Sequence, residues 1–176
     1  MLQKTAATLH AKMTESGAIA PSVPVIKYAL EIMLNTISIA SLVLIIGLVS
    51  GEPLKTAGLL VVFAVIRFIS GGYHLPTNVS CIVASTVVLS VLPHVVIPEL
   101  WMYGLTAASL VMMAVLAPAN YDKYATISPK YYPLMKVIAC LIVASNFWFG
   151  SEMLALAFAV QSCFLPFKSK QLEEES

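Results

Sequence analysis

The sequence predicts an all-α, polytopic membrane protein with about six transmembrane helices. Hydrophobic residues make up 59% of the 176 positions and charged residues only 11%, whereas a soluble domain carries roughly 25% charged residues. The apolar stretches approach the roughly 20 residues that a spanning helix needs. They do not alternate with polar residues as membrane β-strands would. The lipid bilayer is therefore the expected solvent of this chain.

The first segment, residues 1–22, has the pattern of an amphipathic helix lying on the membrane surface. It does not match a cleavable signal peptide, because it lacks a continuous apolar core. A disordered polar tail is the alternative interpretation. The apolar residues that recur at helical spacing are Leu2, Ala6, Leu9 and Met13, and the charged residues that can face water are Lys4, Lys12 and Glu15.

Six apolar segments follow, bounded at nearly every junction by glycine, proline or polar residues. The second and sixth are short, and the third contains Pro93. We expect residues 25–167 to form a single transmembrane bundle, with residues 168–176 as a cytoplasmic tail. The predicted spans cover residues 28–49, 56–69, 78–97, 100–116, 132–149 and 153–167.

The basic residues predict the orientation, because short cytoplasmic loops hold an excess of lysine and arginine. With both termini inside, only Lys55 falls on the outer side, accompanied by Glu52. The other nine lie inside or at the inner boundary: Lys4, Lys12, Lys27, Arg67, Lys123, Lys130, Lys136, Lys168 and Lys170. The loop between the second and third spans is then cytoplasmic.

The net charge and the spacing of the cysteines indicate which partners and cofactors to expect. The net charge of +1 gives no indication of a nucleic-acid partner. Cys81, Cys140 and Cys163 form neither a paired framework nor a metal-binding spacing. We therefore expect reduced thiols, no metal and no cofactor.

The loop between the second and third spans carries the residues that indicate chemistry. Arg67 lies near the end of an apolar helix, where a charge is costly unless it finds a partner or reaches the interface. Gly71 and Gly72 allow a sharp turn or a close approach to a ligand. Cys81 lies early in the next predicted helix, with His74 ahead of it. A thiol near a helix start with an imidazole close by can act as an activated nucleophile.

Each of these residues also has a structural interpretation. A cysteine in an apolar helix is commonly a small core residue, a lone loop histidine is commonly solvated, and an interfacial arginine can reach the headgroups. If residues 74–81 were one helix, seven residues would separate His74 from Cys81 by about 10.5 Å of rise. A direct hydrogen bond therefore requires the glycines and Pro76 to fold His74 back.

At this loop the chain resembles the AgrB family, the accessory gene regulator B membrane peptidases of Gram-positive quorum sensing. The resemblance rests on Arg67, on glycine and histidine at Gly72 and His74, and on Cys81 seven residues later. Ala117, Pro118 and Ala119 before a cytoplasmic loop add support. That loop is less basic than is usual in the family.

The resemblance implies that Cys81 is the nucleophile and His74 its base. It implies an AgrD-type propeptide as substrate, cleaved through a thioester and cyclised to a thiolactone or lactone. Arg67, Gly71 and Gly72 become candidate substrate or oxyanion contacts, and a homodimer in the plasma membrane is expected. A small non-enzymatic transporter or export factor for a peptide is the alternative, and a structural membrane subunit is a third reading.

Overall fold

The computed structural model describes residues 2–73, 75, 77–120 and 127–167. Within these ranges the chain is helical, and its single β-type contact is an isolated bridge between Gly71 and Ala119. The predicted all-α fold is confirmed. In chain order the helices are α1 (Leu2–Glu15), α2 (Val23–Val49), α3 (Pro53–Ser70), α4 (Asn78–Val91), α5 (Glu99–Leu116), α6 (Tyr132–Ala144), α7 (Asn146–Phe149) and α8 (Glu152–Cys163).

Local sequence explains where several of these helices begin and end. Pro53 opens α3, where the amide hydrogen that proline lacks has no helical partner in any case. Pro93 lies in a short 3-10 turn, Leu92–His94, that follows α4. The Ser151 side chain accepts a hydrogen bond from the amide of Leu154 and caps α8.

The number of membrane spans differs from the prediction of six. Four helical segments are long and apolar enough to cross a bilayer: Val23–Val49, Pro53–Ser70, Glu99–Leu116 and Pro129–Phe149. The third and sixth predicted spans correspond to α4, with 14 residues, and α8, with 12. At 1.5 Å per residue they rise about 21 and 18 Å, against a hydrocarbon core of about 30 Å. The chain is a helical membrane protein, and six full spans are not confirmed.

Two clusters of buried side chains hold the bundle together. One joins α3, α5, α6 and α8, and the other joins α2, α3, α4 and α8. Helices α3 and α8 contribute to both clusters and therefore form the centre of the bundle. The fully buried members include Ile66, Met113, Ala139 and Val143 in the first cluster, and Val43 and Leu59 in the second.

Small residues let neighbouring helices approach closely. A side chain at Gly47 of α2 would lie only 2.8–3.0 Å from the Thr56 side-chain atoms of α3. Ser109 of α5 and Ser162 of α8 face each other through their hydroxyl groups, 3.5 Å apart. Such contacts are typical of helix packing in membranes, where van der Waals contact drives association.

The N-terminal segment is helical as predicted. Helix α1 packs against α2, and Ala6 is fully buried in that contact while most other α1 residues remain exposed. Its placement on the membrane surface stays a prediction, and the predicted tail at residues 168–176 lies outside the described residues.

Candidate active site

Cys81 lies in the first turn of α4. Thr77 is the N-cap residue, and its hydroxyl accepts a hydrogen bond from the Ser80 amide at 3.1 Å. The Cys81 amide donates to the Thr77 carbonyl at 3.1 Å, which makes the first helical hydrogen bond of α4. The Cys81 side chain is half-buried. The cap therefore fixes where the thiol stands relative to the start of the helix.

Arg67, in the last turn of α3, has partners for its charged group. Its Nη2 donates to the Tyr73 carbonyl at 2.7 Å and its Nη1 to Gln161 Oε1 at 3.2 Å. The guanidinium is also close enough to Cys81 to interact with it electrostatically. These bonds account for a charge at the end of an apolar helix, where an unpartnered one would be costly.

The segment after α3 turns sharply and packs against two distant parts of the chain. Gly71 has φ +67° and ψ −148°, a conformation that favours glycine. A side chain there would overlap the carbonyl oxygen of Ala119. The Gly72 amide donates to that oxygen at 2.9 Å, and the Tyr73 amide donates to Phe164 at 3.0 Å. The alanine–proline segment noted in the sequence, in which the Ala117–Pro118 bond is cis, therefore braces the loop.

The backbone amides of the two glycines are engaged within the protein. Gly71 N–H donates to the Arg67 carbonyl at 3.0 Å, and Gly72 N–H to Ala119. In this arrangement both amide hydrogens are used within the protein. By contrast, the first two amides of α4, ahead of the capped Ser80 amide, have no intrahelical acceptor, as at any helix start.

His74 lies outside the described residues. Its neighbours are described: Tyr73 is held by Arg67 and Phe164, and Leu75 lines the same cavities as Cys81. Tyr73 and Leu75 both line the smaller cavity together with Cys81, and the distance between His74 and Cys81 stays a prediction.

The larger of two cavities at Cys81, here called the main cavity, has a volume of about 180 Å³, lies between α2, α3 and α4, and has Cys81 and Arg67 in its wall. Towards the end of the bundle its lining is polar, and deeper residues are apolar. A second, smaller cavity of about 30 Å³ also touches Cys81 and Arg67, on the side facing α8. The polar group of the main cavity comprises Tyr28, Glu31, Asn35 and Asn78, and the apolar group comprises Ile39, Leu60, Phe63 and Leu89.

Three polar residues of this region carry roles that sequence reasoning did not assign. Asn35 of α2 donates to Asn78 of α4 at 3.5 Å, so Asn78 contacts a neighbouring helix while Thr77 provides the cap. Gln161 of α8 bonds to Arg67. A glutamine within the apolar run of α8 is itself a signal, because polar residues inside membrane helices are commonly functional or paired.

The remaining cysteines lie elsewhere. Cys140 is half-buried in α6, and Cys163 is exposed at the end of α8. Neither lines the two cavities at Cys81. Of the three thiols, Cys81 alone combines a cavity, a nearby cation and a helix start.

The fold and this arrangement define a helical membrane protein with a candidate thiol site at one end of its bundle. The family model of AgrB, accessory gene regulator B, matches residues 3–165. The chain therefore belongs to the AgrB family, as a processing protein in the maturation of the quorum-sensing peptide, with an AgrD-type propeptide as its partner. No curated protein and no solved structure matches the chain.

Proposed function

We propose that this protein is a membrane-embedded cysteine endopeptidase that removes the C-terminal tail of an AgrD-type propeptide. Cys81 is the nucleophile and His74 the general base. The observation that carries the proposal is the shared cavity of Cys81 and Arg67 at the start of α4. A half-buried thiol beside a cation and an open cavity is a suitable place for a nucleophile to meet a carbonyl.

The proposed reaction has two stages. His74 takes the thiol proton as Cys81 Sγ attacks the scissile carbonyl, and it returns the proton to the amine of the departing tail. The peptide is then held on Cys81 as a thioester. A cysteine or serine side chain of the same peptide attacks this thioester, which closes a thiolactone or lactone ring. Cys81 leaves as the thiolate, and His74 transfers to it the proton taken from the attacking thiol or hydroxyl.

No nucleotide hydrolysis is needed, because the thioester keeps much of the acyl group's reactivity. Intramolecular attack has the advantage of proximity, which can correspond to very high effective concentrations. The partly apolar cavity favours this attack over hydrolysis by limiting water at the thioester. Both features fit a thiol at the start of α4 that lines a partly apolar cavity.

We assign the oxyanion contacts to the start of α4 in preference to the glycine amides. Gly71 and Gly72 donate to carbonyls of the protein itself, so their role is to position the loop. The amides of Asn78 and Val79 precede Cys81 in the first turn of α4 and have no intrahelical acceptors, whereas the Ser80 amide is taken by the Thr77 cap. Donors placed where negative charge develops contribute strongly to such reactions.

We place the active-site end of the bundle at the cytoplasmic face of a Gram-positive plasma membrane. Arg67 lies at this end of α3, and Lys130 lies just before α6, whose start faces the same end. Lys55, the exception in the charge pattern, pairs with Glu52 at 2.8 Å at the opposite end. An amphipathic propeptide on the inner leaflet would reach Cys81 from this side. Both termini of the chain then lie in the cytoplasm. We also propose that two copies of the protein form a homodimer.

The test uses purified protein in lipid vesicles with the AgrD-type propeptide from the same genome. Intact-mass spectrometry follows the released tail and an acyl adduct for wild type, Cys81→Ala and His74→Ala. We expect the adduct on Cys81, and loss of cleavage in both folded variants. Propeptide left intact by the wild type would support the peptide-export alternative. Cleavage that survives Cys81→Ala would show that this site is not the active site.

A further inference from the structure

We infer that Gln161 of α8 is a positioning residue of the active site, and this inference rests on the proposed function. It holds Arg67 and the segment after α3 in the arrangement that faces Cys81. Gln161 lines neither cavity at Cys81, so its effect on the reaction passes through the residues it binds.

Both the NH2 group and the carbonyl oxygen of the Gln161 side chain form hydrogen bonds with residues at the end of α3. Its Nε2 donates to Ser70 Oγ at 2.9 Å and to the Gly71 carbonyl at 2.6 Å. Its Oε1 accepts from Arg67 Nη1 at 3.2 Å. We call Arg67, Ser70, Gly71 and Gln161 the polar cluster. Gln161 and Ser70 are both fully buried, so water cannot replace a bond that is lost there.

The backbone after α3 is packed directly onto this amide. A side chain at Gly72 would lie 3.2 Å from Gln161 Nε2 and 3.4 Å from Arg67 Nη1. Arg67 in turn holds the Tyr73 carbonyl, one residue before His74. Gln161 therefore helps to fix where the guanidinium lies and, through Arg67, where the Tyr73 carbonyl lies.

The positions of the loop and of the guanidinium should affect the rate of propeptide cleavage. The general base must lie within hydrogen-bonding reach of the thiol, and a displacement of about 1 Å can lower a rate about 100-fold. Without the Gln161 amide, Arg67 Nη1 would lose this partner, and the Gly71 carbonyl would keep only the longer bond from Ser70 Oγ at 3.3 Å. The loop and the guanidinium would then adopt other arrangements, which lowers kcat more than it weakens propeptide binding.

A matched control exists at the other end of the bundle. Asn146 is also a fully buried amide, and its Nδ2 donates to Thr106 Oγ1 and to the Ser151 carbonyl, each at 3.0 Å. Like Gln161, it joins a helix hydroxyl and a backbone carbonyl. Removing either amide should reduce stability, and only the loss of Gln161 should change the chemistry at Cys81.

The experiment compares Gln161→Met with Asn146→Leu, both of which keep the approximate shape and remove the hydrogen bonds. Each variant is reconstituted in vesicles, and kcat and KM for the AgrD-type propeptide are measured together with Tm. We expect both variants to lower Tm, and only Gln161→Met to lower kcat, by about 100-fold, with KM changed less than about threefold. Gln161→Glu keeps an acceptor for Arg67 and loses the donors to Ser70 and Gly71. It serves as the second variant if Gln161→Met does not fold, and we expect a lowered kcat there too.

Three results are distinguishable. If the wild type fails to cleave the propeptide, the proposed function falls and this inference falls with it. If the wild type cleaves and the folded Gln161 variants keep full kcat, only the positioning role is overturned. If Asn146→Leu lowers kcat as much as Gln161→Met, the effect is general destabilisation, and the positioning role is again overturned.

Discussion

Arg67 donates a hydrogen bond to the Tyr73 carbonyl at 2.7 Å, which joins the last turn of α3 to the residue that precedes His74. Its other nitrogen reaches Gln161, 94 residues further along the chain. One guanidinium thus ties together the end of α3, the loop that carries the proposed base, and α8.

Replacing Arg67 by lysine should impair the site although the positive charge is kept. An ammonium group is a compact point charge and cannot reproduce the two directions in which the guanidinium donates. We expect Arg67→Lys to lower kcat at least about tenfold, since misplaced groups lose orientation. Propeptide cleavage in vesicles measures this. Lys55→Arg, at the opposite end, is the control and should retain full activity. Wild-type kcat in Arg67→Lys would mean that the charge alone matters.

Gly71→Ala should destabilise the protein. A side chain at Gly71 overlaps the Ala119 carbonyl and would have to adopt φ +67° with ψ −148°, a conformation that costs roughly 1–3 kcal/mol for other residues, with the displacement of Ala119 in addition. Gly58→Ala is the control, because a side chain at Gly58 in α3 meets no atom within 4 Å. That change should stabilise by roughly 0.5–1 kcal/mol. Thermal unfolding in detergent gives both values, and equal Tm changes would contradict the prediction.

Thr77→Ala should weaken the start of α4. The Thr77 hydroxyl accepts from the Ser80 amide, and loss of such a cap costs about 1 kcal/mol. The first turn of α4 carries Cys81, so we also expect slower alkylation of the Cys81 thiol or a changed rate of propeptide cleavage. Mass spectrometry of the peptide that contains Cys81 measures the alkylation. Thr77→Ser keeps the cap and should behave as the wild type. An unchanged Tm in Thr77→Ala would show that the cap contributes nothing.

Ala64→Phe should interfere with propeptide binding. Ala64 lines the main cavity of about 180 Å³, and a benzyl group there would occupy part of that volume. We expect KM for the propeptide to rise about tenfold, which corresponds to about 1.4 kcal/mol of lost binding. Ala108→Phe on the exposed face of α5 is the matched control. An unchanged KM in Ala64→Phe would place the propeptide outside this cavity.

The sequence alone determined the class of protein and the residues of the motif. Hydrophobic composition and the length of the apolar runs predict membrane helices. Lipid offers no hydrogen-bond partners, so backbone groups in the bilayer must bond to each other, as they do within a helix. Local spacing was enough to single out Arg67, His74 and Cys81, since these residues lie within one loop and the helices next to it. The predicted count of six spans is not confirmed, because α4 and α8 are only 14 and 12 residues long, and Pro93 lies in the turn that follows α4.

Only the tertiary structure placed Gln161 against Arg67, Ala119 against Gly72, and Asn35 against Asn78. Each of these pairs is separated by more than forty residues. Hydrophobic pattern is a local property, and it does not specify which faces of two distant helices meet. That choice depends on how side chains of α3 and α8 interlock in the bundle core, and it is this packing that brings a buried amide to the candidate active site.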